Sequence, residues 1–124
     1  MSDLASSIDY TKFFDQVMKL DPNIRLVAIY DGRFKAKFRD GIQRYFKDEE
    51  IKSSLSEAQN RWASRKKMNF KIDEPKFAMA QYGKVNRIII PLDDDEVILL
   101  TTELDVDINE LTDKVIETRI RFLD

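Results

Sequence analysis

Cysteine and histidine are both absent from the 124 residues. Without cysteine there is no disulfide framework, thiol nucleophile or iron-sulfur cluster, and without histidine the usual catalytic base and the commonest zinc ligand are missing too. Glycine is scarce, three residues in all, and nothing resembles the glycine-rich loop that cradles a phosphate. No apolar run approaches the roughly 18 to 20 residues that cross a bilayer. The first residues, MSDLASSIDY, lack the basic start and apolar stretch of a secretory leader. A cytoplasmic protein that touches no membrane is the expectation. Charge of one sign does not dominate either: 21 basic against 23 acidic residues leave a formal net charge of -2. That excludes a surface built throughout to attract nucleic acid, although a local basic patch remains open.

What is present suits one globular domain, 1–124. Hydrophobic residues make up 43% and charged residues 35%, and eight Phe, four Tyr and one Trp supply bulk for a single core. Tyr10, Phe13, Phe14, Val17 and Met18 fall at helical spacing up to Leu20, with Asp9 placed to cap the free amides. The stretch IRLVAIY reads as a central strand, with Ile24, Leu26, Ala28 and Tyr30 on one face and Val27 and Ile29 on the other. After Asp31-Gly32, a hairpin signal, RFKAKFR alternates strictly, so Phe34, Ala36 and Phe38 point one way and Arg33, Lys35, Lys37 and Arg39 the other. This is a half-exposed edge strand with a basic face in solvent. Residues 41–47 are open between loop and short helix.

Asp48, as cap, starts a second helix whose stripe is Ile51, Leu55, Ala58 and Trp62, and which ends in Arg65 to Lys67, where cations suit the carbonyl pole. A connection with Pro75 leads to KFAMAQY, a third strand placed at the opposite edge. VNRIIIPL and EVILLTTEL, apolar on both faces, are the fourth and fifth. Asp107 and Glu110 resemble a capping box before a last helix carrying Ile108, Leu111, Val115 and Phe122. The fold class is therefore α/β (α+β): a five-stranded antiparallel sheet with helices on both faces, in the order α-β-β-α-β-β-β-α.

This order resembles the Roadblock/LC7 fold, a relative of profilin and longin domains. The stretches LDPNIRLVAIYDG, RDGI, RWASRKKM and KFAMAQYGKVNRIIIPLDDDEVILLTTELD also resemble a family of small proteins of ammonia-oxidising archaea, over most of the chain from about Leu20 onward, which brings no activity with it. The Roadblock likeness implies a module that dimerises and docks other proteins, often small GTPases or motors.

Four candidate sites follow. Asp93, Asp94, Asp95 and Glu96 could offer oxygens to a cation, but a calcium loop spaces its ligands and turns them with glycine, whereas four adjacent acids diverge. They read as a charged hinge between two strands, and neither metal nor cofactor is expected. Arg61, Arg65, Lys66 and Lys67 around Trp62 and Phe70 mix cations with aromatics as a strand-gripping surface does, yet Trp62 also continues the apolar stripe. With Arg33, Lys35, Lys37 and Arg39 they form the candidate partner-binding set. Changing Lys35 and Lys37 together should cost less than about 1 kcal/mol if that face is exposed. Phe77, Ala78, Met79 and Ala80, with Lys only at Lys76, lack the charges that blunt an edge and are the candidate dimer interface with the second helix. Ser53, Ser54, Ser56 and Ser64 have no histidine to activate them, so no enzyme is expected. The favoured reading is a homodimeric, non-catalytic interaction module with itself and an unidentified protein as partners. Behind it stand a small-ligand sensor of PAS or profilin type and, third, a nucleic-acid binder. Polar residues on an apolar sheet face would point to the sensor, and Gln81, Thr101 and Thr102 are the candidates.

Overall fold

The runs richest in branched residues occupy the middle of the sheet. In the computed structural model, which describes residues 8–93 and 96–123, five strands form one antiparallel sheet: β1 (Ile24–Tyr30), β2 (Phe34–Phe38), β3 (Ala78–Gln81), β4 (Asn86–Pro91) and β5 (Val97–Thr102). The spatial order is β2-β1-β5-β4-β3, so the basic strand and KFAMAQY are the two edges, as expected. Among the described residues four helices accompany it: α1 (Thr11–Leu20), α2 (Asp48–Lys66), the short α3 (Asn69–Ile72) and α4 (Ile108–Leu123). Apart from α3, the element order is the one read from the sequence.

Each face of the sheet has its own core. Val27, Ile29, Ile88, Ile90, Ile98 and Leu100 pack against α1 and α4. There Tyr10 and Phe13 meet Phe122, and Phe14 packs against both of them, in an aromatic cluster with centroids 5.4 to 6.2 Å apart. Leu26, Ala28, Ile89, Val97 and Leu99 pack against Ile51, Leu55, Ala58 and Trp62 of α2. Trp62 is only 2% exposed, and burying an apolar side chain of that class stabilises the fold by roughly 2 to 3 kcal/mol. The start of α1 uses Asp9, whose carboxylate accepts the Thr11 amide at 2.9 Å. At α4 Asp107 accepts the Glu110 amide at 3.1 Å.

Two local readings are corrected, and the stretch left open is found to be irregular. Ile24 lies with Val27 and Ile29 rather than with Leu26, because the pairing with β5 shifts between Ile24 and Leu26. Arg25 is the extra residue of that bulge, and the bulge reverses the face of everything before it. Asp48 is the first residue of α2 and not its cap; the Glu50 carboxylate reaches back to the Lys47 amide at 2.8 Å. Residues 41–47 form an irregular strap, entered through Gly41 at φ +79°. Arg44 lies over the Phe38 ring at 3.7 Å, and Arg25 donates to the Gln43 carbonyl, so the strap is held against the sheet.

Candidate functional site

The basic row of β2 is where alternation put it, but it is not a free surface. Its face is the one covered by α1. Arg39 donates to the carbonyls of Ile24 at 2.6 Å, Met18 at 2.7 Å and Asp21 at 2.9 Å, closing the C-terminal end of α1. Lys35 donates to the Ile8 carbonyl at 2.8 Å, pairs with Asp31 at 3.2 Å and sits over the Tyr10 ring at 5.1 Å. Lys37 pairs with Asp15 at 3.4 Å. Arg33 is exposed. The expectation of a row standing side by side in solvent is corrected for Lys35 and Arg39, which tie the edge strand to α1 and the residues just before it; Lys37 pairs with Asp15 of α1 yet stays exposed, as does Arg33.

Arg61, Arg65 and Lys67 are exposed at the far end of α2, with Lys66 partly covered, and Arg61 pairs with Glu57 at 3.3 Å. Trp62 is sealed in the core and offers no stacking platform. The side chain of Phe70 lies outside the described residues. Because Phe34, Ala36 and Phe38 pack towards α2 while the β2 cations turn to α1, the two basic surfaces lie on opposite faces of the sheet and do not merge. The acidic segment is the hairpin loop between β4 and β5: the Leu92 amide donates to the Glu96 carbonyl at 2.9 Å and that of Asp93 at 3.3 Å. Asp94 and Asp95 lie outside the described residues.

At the other edge, among the described residues, β3 pairs only with β4. The Tyr82 amide donates to the Val85 carbonyl at 2.8 Å, which places Tyr82 and Val85 at a hydrogen-bonded position of the ladder. Antiparallel pairing alternates, so Ala80 and Ala78 also bond inward to Arg87 and Ile89, while the backbone groups of Met79 and Gln81 point away from the sheet. Alternation also splits the proposed interface residues: Phe77 packs with the α1–α4 core and Ala78 with the α2 core. Met79 is 39% exposed and Ala80 is exposed.

Polar groups on the sheet faces fall into two rows. Gln81, Asn86 and Thr102 are neighbours on the α1–α4 face and close on themselves: Gln81 donates to Asn86 at 2.9 Å, and Asn86 donates to Thr102 and to the Glu103 carbonyl, each at 3.2 Å. That network is structural. On the α2 face Thr101 lies beside Arg87 and Leu26, and this row opens into a cleft walled by Tyr45, Phe46 and Tyr82. Thr101 was among the sequence candidates. Arg87 was missed, because a lone cation inside VNRIIIPL reads as an interruption of an apolar strand.

No family model and no curated relative matches the sequence. Solved structures do. The Roadblock/LC7 domain from Streptomyces avermitilis is similar over 92% of this chain and 94% of its own, with a TM-score of 0.69 at 8% identity. The gliding protein MglB from Thermus thermophilus matches 87% of this chain and 81% of its own at a TM-score of 0.68 and 5% identity. MglB from Myxococcus xanthus covers 93% and 94% at 0.66 and 10%. Nothing in these comparisons supports the likeness to small proteins of ammonia-oxidising archaea. At such identities the likeness establishes architecture alone: the chain has a Roadblock/LC7 fold.

Proposed function

We propose that this protein is a non-catalytic regulatory module of the cytoplasm that acts through protein contacts, pairing with a second copy along β3 and the adjoining face of α2. The observation that carries this reading is the bare β3 edge. Met79 and Gln81 turn their amides and carbonyls outward, and between Lys76 and Lys84 the segment has no charged side chain. An unblunted edge of this kind is a template for another strand, and a twofold axis lets two copies satisfy each other. Beside it, the outer face of α2 carries the short exposed side chains Ser53, Ser56, Asn60 and Ala63, which would let a second helix approach closely. One of the structural neighbours is described as MglB with tetrameric arrangement, which shows that this fold supports assembly in that protein.

A protein partner would meet the surfaces that pairing leaves open. The cations Arg61, Arg65, Lys66 and Lys67 at the end of α2, joined by Arg33 at the other edge, suit an acidic partner, whereas Lys35, Lys37 and Arg39 are committed to α1. The test is mass by light scattering after size exclusion, at tens of micromolar. The unmodified chain should elute as a dimer. Met79→Lys should shift it towards monomer, and Met79→Pro, which removes an outward amide without touching the β3–β4 ladder, should do so more completely. A monomeric unmodified chain would remove the pairing, and two unchanged dimeric variants would move the interface elsewhere.

A further inference from the structure

The α2 face of the sheet is apolar except along one row. Reading across that row, the side chains are Ala80, Arg87, Thr101, Leu26 and Phe38; in the next they are Ala78, Ile89, Leu99, Ala28 and Ala36. The apolar row is covered by Leu55, Ala58 and Trp62. The polar one lies at the open end of α2, under a cleft of about 640 Å³. That volume falls within the roughly 300 to 1,000 Å³ of small-molecule sites.

Arg87 is half-buried there, and its guanidinium donates to the Ser54 hydroxyl at 2.7 Å and carbonyl at 3.3 Å. Among the described residues it makes no ion pair. Burial holds this guanidinium below the usual arginine range, with Arg61 and Arg65 pushing the same way and Tyr82 and Glu57 opposing. A partly desolvated cation without a counter-ion is costly to keep unless an anion completes it. Thr101, its cross-strand neighbour, makes no side-chain hydrogen bond among the described residues and has a hydroxyl to give. Lys84 stands at the mouth, 5.2 Å from the Tyr45 ring. One carboxylate also lines the cleft, that of Glu50, and it is engaged by the Lys47 amide. The walls are aromatic and wet: Tyr45, Phe46 and Tyr82 are all exposed. Large rings left in solvent around a half-buried cation that makes no ion pair describe a site for a molecule with an apolar body and an anionic end.

We propose that this cleft binds a small organic carboxylate with an aryl or short acyl body, its carboxylate against Arg87 and Thr101 and its body between Tyr45, Phe46 and Tyr82. A planar two-oxygen group fits one guanidinium fork beside one hydroxyl. A phosphate ester would want the converging backbone amides of a glycine-rich loop, which the chain lacks. The occupant would tie the 41–47 strap to the β3–β4 turn, next to the edge assigned above to pairing, and so supply the module with a signal.

Calorimetric titration of the full chain with naphthalene-2-carboxylate and with its neutral counterpart, 2-naphthylmethanol, tests this. The carboxylate should bind once per chain and about tenfold more tightly than the alcohol, the margin a charge-assisted pair gives. Arg87→Gln should erase that margin while binding of the alcohol persists. Thr101→Val should weaken the carboxylate about threefold, and Tyr82→Ala, at an exposed wall position, should weaken both probes alike. If Arg87→Gln fails to fold, these two variants decide. No saturable binding, equal affinity for both probes, a margin that survives Arg87→Gln, or indifference to both Thr101→Val and Tyr82→Ala would overturn the proposal. Light scattering on the same samples keeps the two readings apart: a monomer that binds the carboxylate refutes only the pairing, and a dimer that does not refutes only the cleft.

Discussion

At one end of the sheet β2 turns Lys35, Lys37 and Arg39 towards α1, and at the other β3 turns the amides and carbonyls of Met79 and Gln81 away from the sheet. Both edges come from short alternating segments, and both carry cations nearby. What separates them is the neighbour each was folded against. α1 and its flanks run beside β2 and offer the Asp15 carboxylate, the Tyr10 ring and the carbonyls of Met18 and Asp21, so the cations there are engaged within the chain. Beside β3, Lys76 pairs with Asp113 of α4 just before the strand begins, and the strand itself keeps no charge. An edge can thus be closed by its own chain or left for another, and the same residue type serves either end depending on what packs alongside.

The largest expected effect is on the closed edge. Arg39→Ala removes three hydrogen bonds from a charged donor and leaves carbonyls of the α1 terminus unmet, which should cost about 2 to 3 kcal/mol in urea unfolding. Met79→Lys at the open edge should change the stability of the chain by less than about 0.5 kcal/mol while changing its association. Equal costs at the two positions would erase the contrast.

Next is a dependence on pH. The Tyr10 hydroxyl, under the β2 edge, is pushed up to about 12 by burial, with Asp31, Glu96 and Asp93 adding to the effect. The neutral phenol is therefore favoured by folding: its contribution is complete below the unfolded value near 10 and is lost as pH rises from about 10 to 12. Wild type should lose about 2 kcal/mol more over that window than Tyr10→Phe, measured by denaturant unfolding at each pH. Parallel curves for the two proteins would place the phenol in water.

A smaller effect is expected for Lys35→Glu with Lys37→Glu. Sequence alone put this pair below about 1 kcal/mol, as for exposed charges. In the fold, Lys35 pairs with Oδ2 of the largely buried Asp31 carboxylate, whose Oδ1 has no hydrogen-bond partner among the described residues. Charge reversal there should cost about 1 to 2 kcal/mol, nearly all of it from Lys35, since Lys37 and Asp15 are both well exposed. The single Lys37→Glu change should be close to neutral, and a large loss from it would reverse the assignment.

These contrasts mark what was legible in the sequence. Alternation in RFKAKFR gave the two faces of β2 correctly, and branched runs identified the inner strands, because both signals are local and have period two. It could not show that α1 would lie along the basic face, which is a matter of packing between distant segments. Ile24 went to the wrong face because a bulge at Arg25 leaves no mark in an apolar pattern. The strap at 41–47 has no periodicity of its own and is held by Arg25 and Arg44, so its aromatic residues Tyr45 and Phe46 could not be placed. Arg87 was hidden for the opposite reason: the strand signal around it is so strong that the one residue breaking the pattern was passed over. Thr101, its neighbour across the strands, was found because the sensor reading asked for polar residues on an otherwise apolar sheet face.

Amide hydrogen exchange at β3, followed as a function of protein concentration, bears most directly on the claim that this edge receives a second copy. The amides of Ala78 and Ala80 bond to β4 and should be protected at every concentration. Those of Met79 and Gln81 point outward, so the account predicts that their protection is low in dilute solution and rises with concentration in step with the dimer. Fast exchange at Met79 and Gln81 at the highest concentration, beside protected Ala78 and Ala80, would contradict it.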